Sequence, residues 1–203
     1  WMGEILFRTR LSSDMFKGLS PMLSRLPGGL LHVNVVGCGI MAAVAGSSAV
    51  TCATIGRMSI PELTKRKYDE TLSIGSLAGS GTLGLLIPPS IMLIVYGVLA
   101  QQSISRLFIA GVLPGIMIIL IFMTYIAIRA RLNPSLAPKE KNNYTFLEKL
   151  IAGRHLFPVV GLIFCVLGSI YGGYATPTEA ATIGVCGALL LAWLTKTLTL
   201  KSF

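Results

Sequence analysis

The chain has 203 residues, of which 53% are apolar and only 12% charged, with a mean hydropathy of +0.75 and a formal net charge of +9. A soluble domain carries about a quarter of its residues as Asp, Glu, Lys and Arg, so half that share excludes an ordinary water-facing surface and points to lipid. The positive charge does not indicate nucleic acid: the basic residues form short clusters between apolar stretches, without an aromatic-interleaved patch or a binding motif.

The opening Trp1-Met2-Gly3-Glu4-Ile5-Leu6-Phe7 turns basic at Arg8 and Arg10. A signal peptide places its positive charge first, so residues 1–27 are expected to hold the end of a membrane helix and a basic amphipathic connection. The next stretch, Gly28 to Gly56, contains no Asp, Glu, Lys or Arg, yet Arg25 precedes it and Arg57, Lys65, Arg66 and Lys67 follow. If positive charge marks the cytoplasmic side, both ends lie on one face. A single span cannot do that; a re-entrant hairpin can, turning in the small-residue run Val44 to Ala49. Arms of about 14 residues reach roughly 21 Å, short of the ~30 Å hydrocarbon core.

The stretch from Thr71 to Ile104 is too long for one span. Gly79-Ser80-Gly81-Thr82-Leu83-Gly84 and Pro88-Pro89-Ser90 interrupt it, predicting a discontinuous helix unwound near mid-membrane. Leu107 to Ile128 reads as an ordinary spanning helix closing at Arg129 and Arg131, which completes a unit over 28–128. A connection at 129–155 includes an interfacial segment, Thr145 to His155. Residues 156–203 supply two more spans joined through Thr176-Pro177-Thr178-Glu179. This topology puts sixteen of the seventeen basic residues inside, Arg106 being the exception, whereas a full span over 28–56 would put twelve outside.

Three constellations could carry chemistry. Ala45, Gly46, Ser47 and Ser48 at the hairpin tip offer hydroxyls and carbonyls suited to Na⁺, with helix termini alongside. The plainer alternative is close helix packing by small residues. In the broken helix, Gly79, Ser80, Gly81, Thr82, Pro88, Pro89 and Ser90 would free backbone groups at the depth where transporters bind cargo, against the alternative of a simple kink. Thr176, Pro177, Thr178 and Glu179 read first as a helix start: Thr176 caps, Pro177 opens and Glu179 closes a capping box. His32, Asn34 and Ser47 could be imagined as an intramembrane hydrolase set, but no nucleophile elbow accompanies them. Cys38, Cys52, Cys165 and Cys186 lie in apolar segments without ligand spacing and read as packing residues.

Pro27-Gly28-Gly29-Leu30, Gly46-Ser47-Ser48, Ile87-Pro88-Pro89-Ser90-Ile91, Ser103-Ile104, Leu107-Phe108-Ile109-Ala110-Gly111, Pro114-Gly115 and Thr176-Pro177-Thr178-Glu179-Ala180-Ala181 occur in one order. In that set the chain resembles the large membrane subunit of the TRAP (tripartite ATP-independent periplasmic) transporters. The resemblance implies an all-α polytopic protein of the bacterial inner membrane, built from two inverted repeats around an elevator-type transport domain, with this chain covering roughly the first half. It further implies Na⁺ as coupling ion and no other cofactor. The expected cargo is a small organic anion, such as a C4-dicarboxylate, sugar acid or sialic acid. A periplasmic solute-binding protein would deliver it, and a small membrane subunit, separate or fused, would complete the complex. The family's tip falls on Gly46, Ser47 and Ser48, with Ala45 where a serine is frequent, and its broken helix falls on Gly79 to Ser90. A fragment lacking the second hairpin is expected to transport nothing alone. The competing readings are a sibling carboxylate symporter that works without a binding protein, and a membrane scaffold in which each break is packing geometry.

Overall fold

The computed structural model describes residues 11–138 and 151–194. The expected helix end at the N-terminus, most of the interfacial segment and the basic C-terminal residues lie outside them. All regular structure among the described residues is helical: α1 (Leu11–Leu23), α2 (Leu31–Ala45), α3 (Ser48–Lys65), α4 (Glu70–Gly81), a 3-10 turn (Thr82–Leu85), α5 (Ile91–Leu99), α6 (Ile104–Leu132), a short 3-10 turn (Arg154–Leu156), α7 (Phe157–Tyr171) and α8 (Pro177–Leu194).

A helical hairpin forms here, from α2 and α3 joined by Gly46 and Ser47 alone. Its first arm is apolar on every side, so it must be buried on every side. Leu31, Val33, Val35, Cys38, Met41 and Ala42 are all shut away from the surface, and α1, α3, α4, the 3-10 turn, α6 and α7 pack around them. The one strongly polar residue in mid-arm, Asn34, is paired: its Nδ2 donates to Ser76 Oγ at 3.0 Å and to the Ser73 carbonyl at 3.5 Å, fastening α2 to α4.

Two boundaries differ from the sequence reading. The second arm does not stop at Gly56 but continues as α3 to Lys65, through Arg57 and Pro61. Charge ends an apolar stretch without ending a helix, and the last turns carry a Glu62–Arg66 ion pair at 2.7 Å of the spacing that supports helices. The second correction concerns Gly79, Ser80 and Gly81. They remain inside α4, and the backbone leaves the α-helix only at Thr82.

At the membrane scale, the 15 residues of α2, the 12 of α4 and the 9 of α5 reach about 22, 18 and 14 Å, each too short to cross alone. Helix α6, with 29 residues, is long and apolar enough to cross. Its outer face shows Ile109, Leu113, Met117, Leu120 and Ile128 to the surroundings, and α5 adds Met92, Val95 and Leu99. A contiguous apolar face of this extent does not fit water; it fits a hydrocarbon solvent.

This arrangement yields a contrast measurable in detergent. Leu31→Ala empties a fully buried site and should cost about 2–5 kcal/mol. Leu113→Ala, at a position 76% exposed, should leave the unfolding transition nearly unmoved.

Candidate functional site

The tip of the hairpin rests on the gap between α4 and α5, and backbone meets backbone there. Gly46 closes α2 in the left-handed conformation, φ +62°, with its N–H donating to the Ala42 carbonyl. A Cβ at Gly46 would stand 2.6 Å from the Pro89 carbonyl oxygen, so a side chain is excluded by contact as well as by conformation. From the other side, a Cβ at Gly84 would lie 2.7 Å from both the Ser47 carbonyl carbon and the Ser48 nitrogen. Ile91 N–H points at the Gly46 carbonyl at 3.5 Å, linking the tip to the first turn of α5.

The gap itself runs from the 3-10 turn through a cis Pro88–Pro89 peptide to Ser90. Buried Ser90 occupies the N-cap position of α5 without capping it; its hydroxyl donates back across the gap to the Leu85 carbonyl. Ser47 likewise stands at the N-cap of α3 and does not cap it. Neither Ser47 nor Ser48 spends its hydroxyl on a described partner, and both are half-buried. Two helix N-termini, those of α3 and α5, therefore open beside two uncommitted hydroxyls and the carbonyls of a non-helical segment. N-termini favour anions; uncommitted oxygens favour a hard cation.

The expected residues are thus only partly brought together. Ala45, Gly46, Ser47, Ser48, Pro88, Pro89 and Ser90 converge. Gly79 faces the ring of Phe122 on α6, Ser80 donates to the Ser76 carbonyl within its own helix, and Thr82 donates back to Gly79 at 2.6 Å. None of those three is shown against the hairpin tip. Thr176, Pro177, Thr178 and Glu179 form the anticipated capping box: Thr176 N–H donates to Glu179 Oε2 at 2.8 Å, and Glu179 N–H to Thr176 Oγ1 at 3.4 Å. The adjoining Ala180 packs with Phe108, Val166 and Ile170 in a cluster of its own. His32 and Ser47 sit near opposite ends of α2, about 20 Å apart along its axis, and His32 Nε2 bonds the Pro27 carbonyl at 2.7 Å. No hydrolase set is assembled.

One residue escaped the sequence reading, and another was read only as part of the break. Gly84, the last glycine of the Gly79 to Gly84 run, is the one that lies against the Ser47–Ser48 backbone. Thr51, one turn into α3, is fully buried with a hydroxyl that has no partner, and its N–H donates to the Ser47 carbonyl at 3.0 Å. A threonine in a small-residue run gives no such signal by type.

A tip folded onto an interrupted helix, inside an apolar-surfaced helical body, fits a membrane-embedded protein. Comparison with known proteins agrees. The family model described as the tripartite ATP-independent periplasmic transporter, DctM component, matches residues 1–203; the chain belongs to that family. It is 36% identical to the C4-dicarboxylate TRAP transporter large permease protein DctM of Pseudomonas aeruginosa, over 84% of this chain and 39% of that protein. It is 35% identical to the isethionate TRAP transporter permease protein DctMQ of Oleidesulfovibrio alaskensis, over 89% and 28% respectively. Against the sialic acid TRAP transporter large permease protein SiaM of Vibrio cholerae the identity is 31%, over 99% of this chain and 47% of the relative. The chain therefore spans less than half the length of these relatives, whose named solutes differ from one to the next.

The interlock predicts unequal glycines. Gly84→Ala forces backbone apart and should cost about 1–3 kcal/mol in the unfolding of the purified protein. Gly79→Ala, where the nearest atom is a Phe122 ring carbon at 3.5 Å, should be tolerated in the same assay.

Proposed function

We propose that this chain forms part of the large permease subunit of a Na⁺-coupled importer of small organic anions in the bacterial inner membrane. The observation that carries the reading is the seating of the tip on the interrupted helix, Gly46 against Pro89 and Ile91 and the Ser47–Ser48 backbone against Gly84. Na⁺ takes oxygen ligands, and transporter sites draw them from unwound backbone and hydroxyls near the bilayer midplane. The Ser47 and Ser48 hydroxyls, with carbonyls from the gap, supply that chemistry. A carboxylate or similar anion is accommodated by the N-termini of α3 and α5, whose first amides point outward.

In this reading the hairpin is re-entrant: α2 and α3 enter and leave by the cytoplasmic face, where Arg25 and the Lys65-Arg66-Lys67 run gather. Helices α4 and α5 enter from opposite faces and meet the tip at depth. Non-helical backbone is tolerated there because protein surrounds it. Cargo arrives on a periplasmic solute-binding protein, and a small membrane subunit, separate or fused as in the DctMQ relative, completes the complex. The relatives' names include dicarboxylate, isethionate, sialic acid and ectoine. Each of these solutes carries at least one anionic group, and the class proposed rests on that group, not on a shared net charge.

The test is uptake by the complete permease, with its small subunit and binding protein, in liposomes under a Na⁺ gradient. Replacing Ser47 and Ser48 by Ala should raise the Na⁺ concentration for half-maximal uptake about tenfold, the equivalent of losing roughly 1.4 kcal/mol of ion binding. Unaltered Na⁺ dependence at normal protein levels would contradict the assignment and favour a packing role for the tip.

A further inference from the structure

Away from the tip, a groove of about 540 Å³ separates the first half of α4 from the last third of α6. The Asp69 N–H donates to the Leu136 carbonyl at 3.0 Å, so the start of α4 lies beside the end of α6 and the two helices run antiparallel. Leu72, Phe122 and Ile126 give the groove apolar walls. Along one side it opens past Ile121 and Tyr125, each 54% exposed, onto the apolar outer face of α6. From Arg129 up to Ile121 is eight residues of helix, or about 12 Å.

Two features single this groove out. Gly75 lines it in mid-helix, and a Cβ there would meet nothing within 4 Å. A helical glycine costs about 0.5–1 kcal/mol relative to Ala, and no neighbouring atom requires it; what it does is keep the groove deep. The other feature is the polar end. Asp69 and Arg129 both line it, yet neither has an ion-pair partner among the described residues. Asp69 commits one carboxylate oxygen to the Leu72 N–H at 2.7 Å.

We infer that the groove binds a zwitterionic phospholipid, its phosphate on Arg129, its ammonium group on Asp69 and one acyl chain along Phe122 and Gly75. The charge pattern selects the headgroup. An anionic lipid would set its phosphate near an uncompensated carboxylate, whereas phosphoethanolamine offers one charge to each side chain and donors to the carboxylate. The acyl chain matches walls that are apolar and open to the membrane along their length. The inference rests on the chain being membrane-embedded and is independent of ion coupling.

Native mass spectrometry of the complete permease, reconstituted in equal amounts of phosphatidylethanolamine and phosphatidylglycerol, tests it. One phosphatidylethanolamine per subunit should survive release from the bilayer. Gly75→Leu, whose Cβ would meet nothing within 4 Å, places an apolar side chain in the groove and should lower its occupancy at least fivefold, and Arg129→Gln should do the same from the exposed end. Asp69→Asn keeps the cap on Leu72 and should erase the preference over phosphatidylglycerol. Retention of both lipids equally by the unaltered protein, or occupancy indifferent to both Gly75→Leu and Arg129→Gln, would overturn the proposal. So would cross-linking of a Gly75→Cys variant to polypeptide in place of lipid.

Discussion

Backbone-to-backbone contact between the hairpin tip and the gap in the α4–α5 helix is the constraint on which the remaining geometry depends. It exists because Gly46 and Gly84 lack side chains: a Cβ on either would come within 2.7 Å of the opposing main chain. With the tip held there, α2 must run through the middle of the body and α3 must return along it. The N-termini of α3 and α5 then open into the same small region. Polar groups at that place are tolerable only because helices shield them from hydrocarbon. The apolar sheath of α6 and the buried first arm are therefore part of the site's chemistry as well as of its stability.

The distribution of burial is the reverse of the soluble pattern only on the outside. Inside, the first arm obeys ordinary packing, with Asn34 satisfied on its donor side by Ser73 and Ser76. Outside, large apolar side chains on α5 and α6 meet the surroundings. One solvent explains both: hydrocarbon offers no hydrogen bonds, so polar atoms turn inward, and it accepts leucine and isoleucine at no cost. That is why helices too short to span can still be stable, provided neighbours cover their ends.

Much of this was legible in the sequence, for identifiable reasons. The small residues at 44–49 marked the turn of a helical hairpin within a residue or two of Gly46. Pro88-Pro89-Ser90 marked a true interruption, since proline cannot donate and constrains the residue before it. The capping box at Thr176 to Glu179 was readable from spacing alone. Glycine misled at Gly79 to Gly81, where composition suggested unwinding but the helix persists to Gly81. Glycine removes a side chain without removing a hydrogen bond, and whether it breaks a helix or admits a neighbour depends on what lies opposite. The extension of α3 past Arg57 was missed for a related reason: hydropathy reports the solvent, not the backbone. Which hydroxyls remain free was beyond the sequence too, since Ser80 and Ser47 look alike until one is seen bonded to its own helix and the other is not.

Thiol accessibility in a cysteine-free background reaches the proposed topology most directly. Single variants Arg25→Cys and Lys65→Cys, at the two ends of the hairpin, and Gln101→Cys, in the turn after α5, would be exposed to an impermeant maleimide from one side of oriented vesicles at a time. The account predicts that the hairpin ends react together from the cytoplasmic side and that position 101 reacts from the other. Labelling of positions 25 and 65 from opposite sides would make the hairpin a pair of separate spans and contradict it.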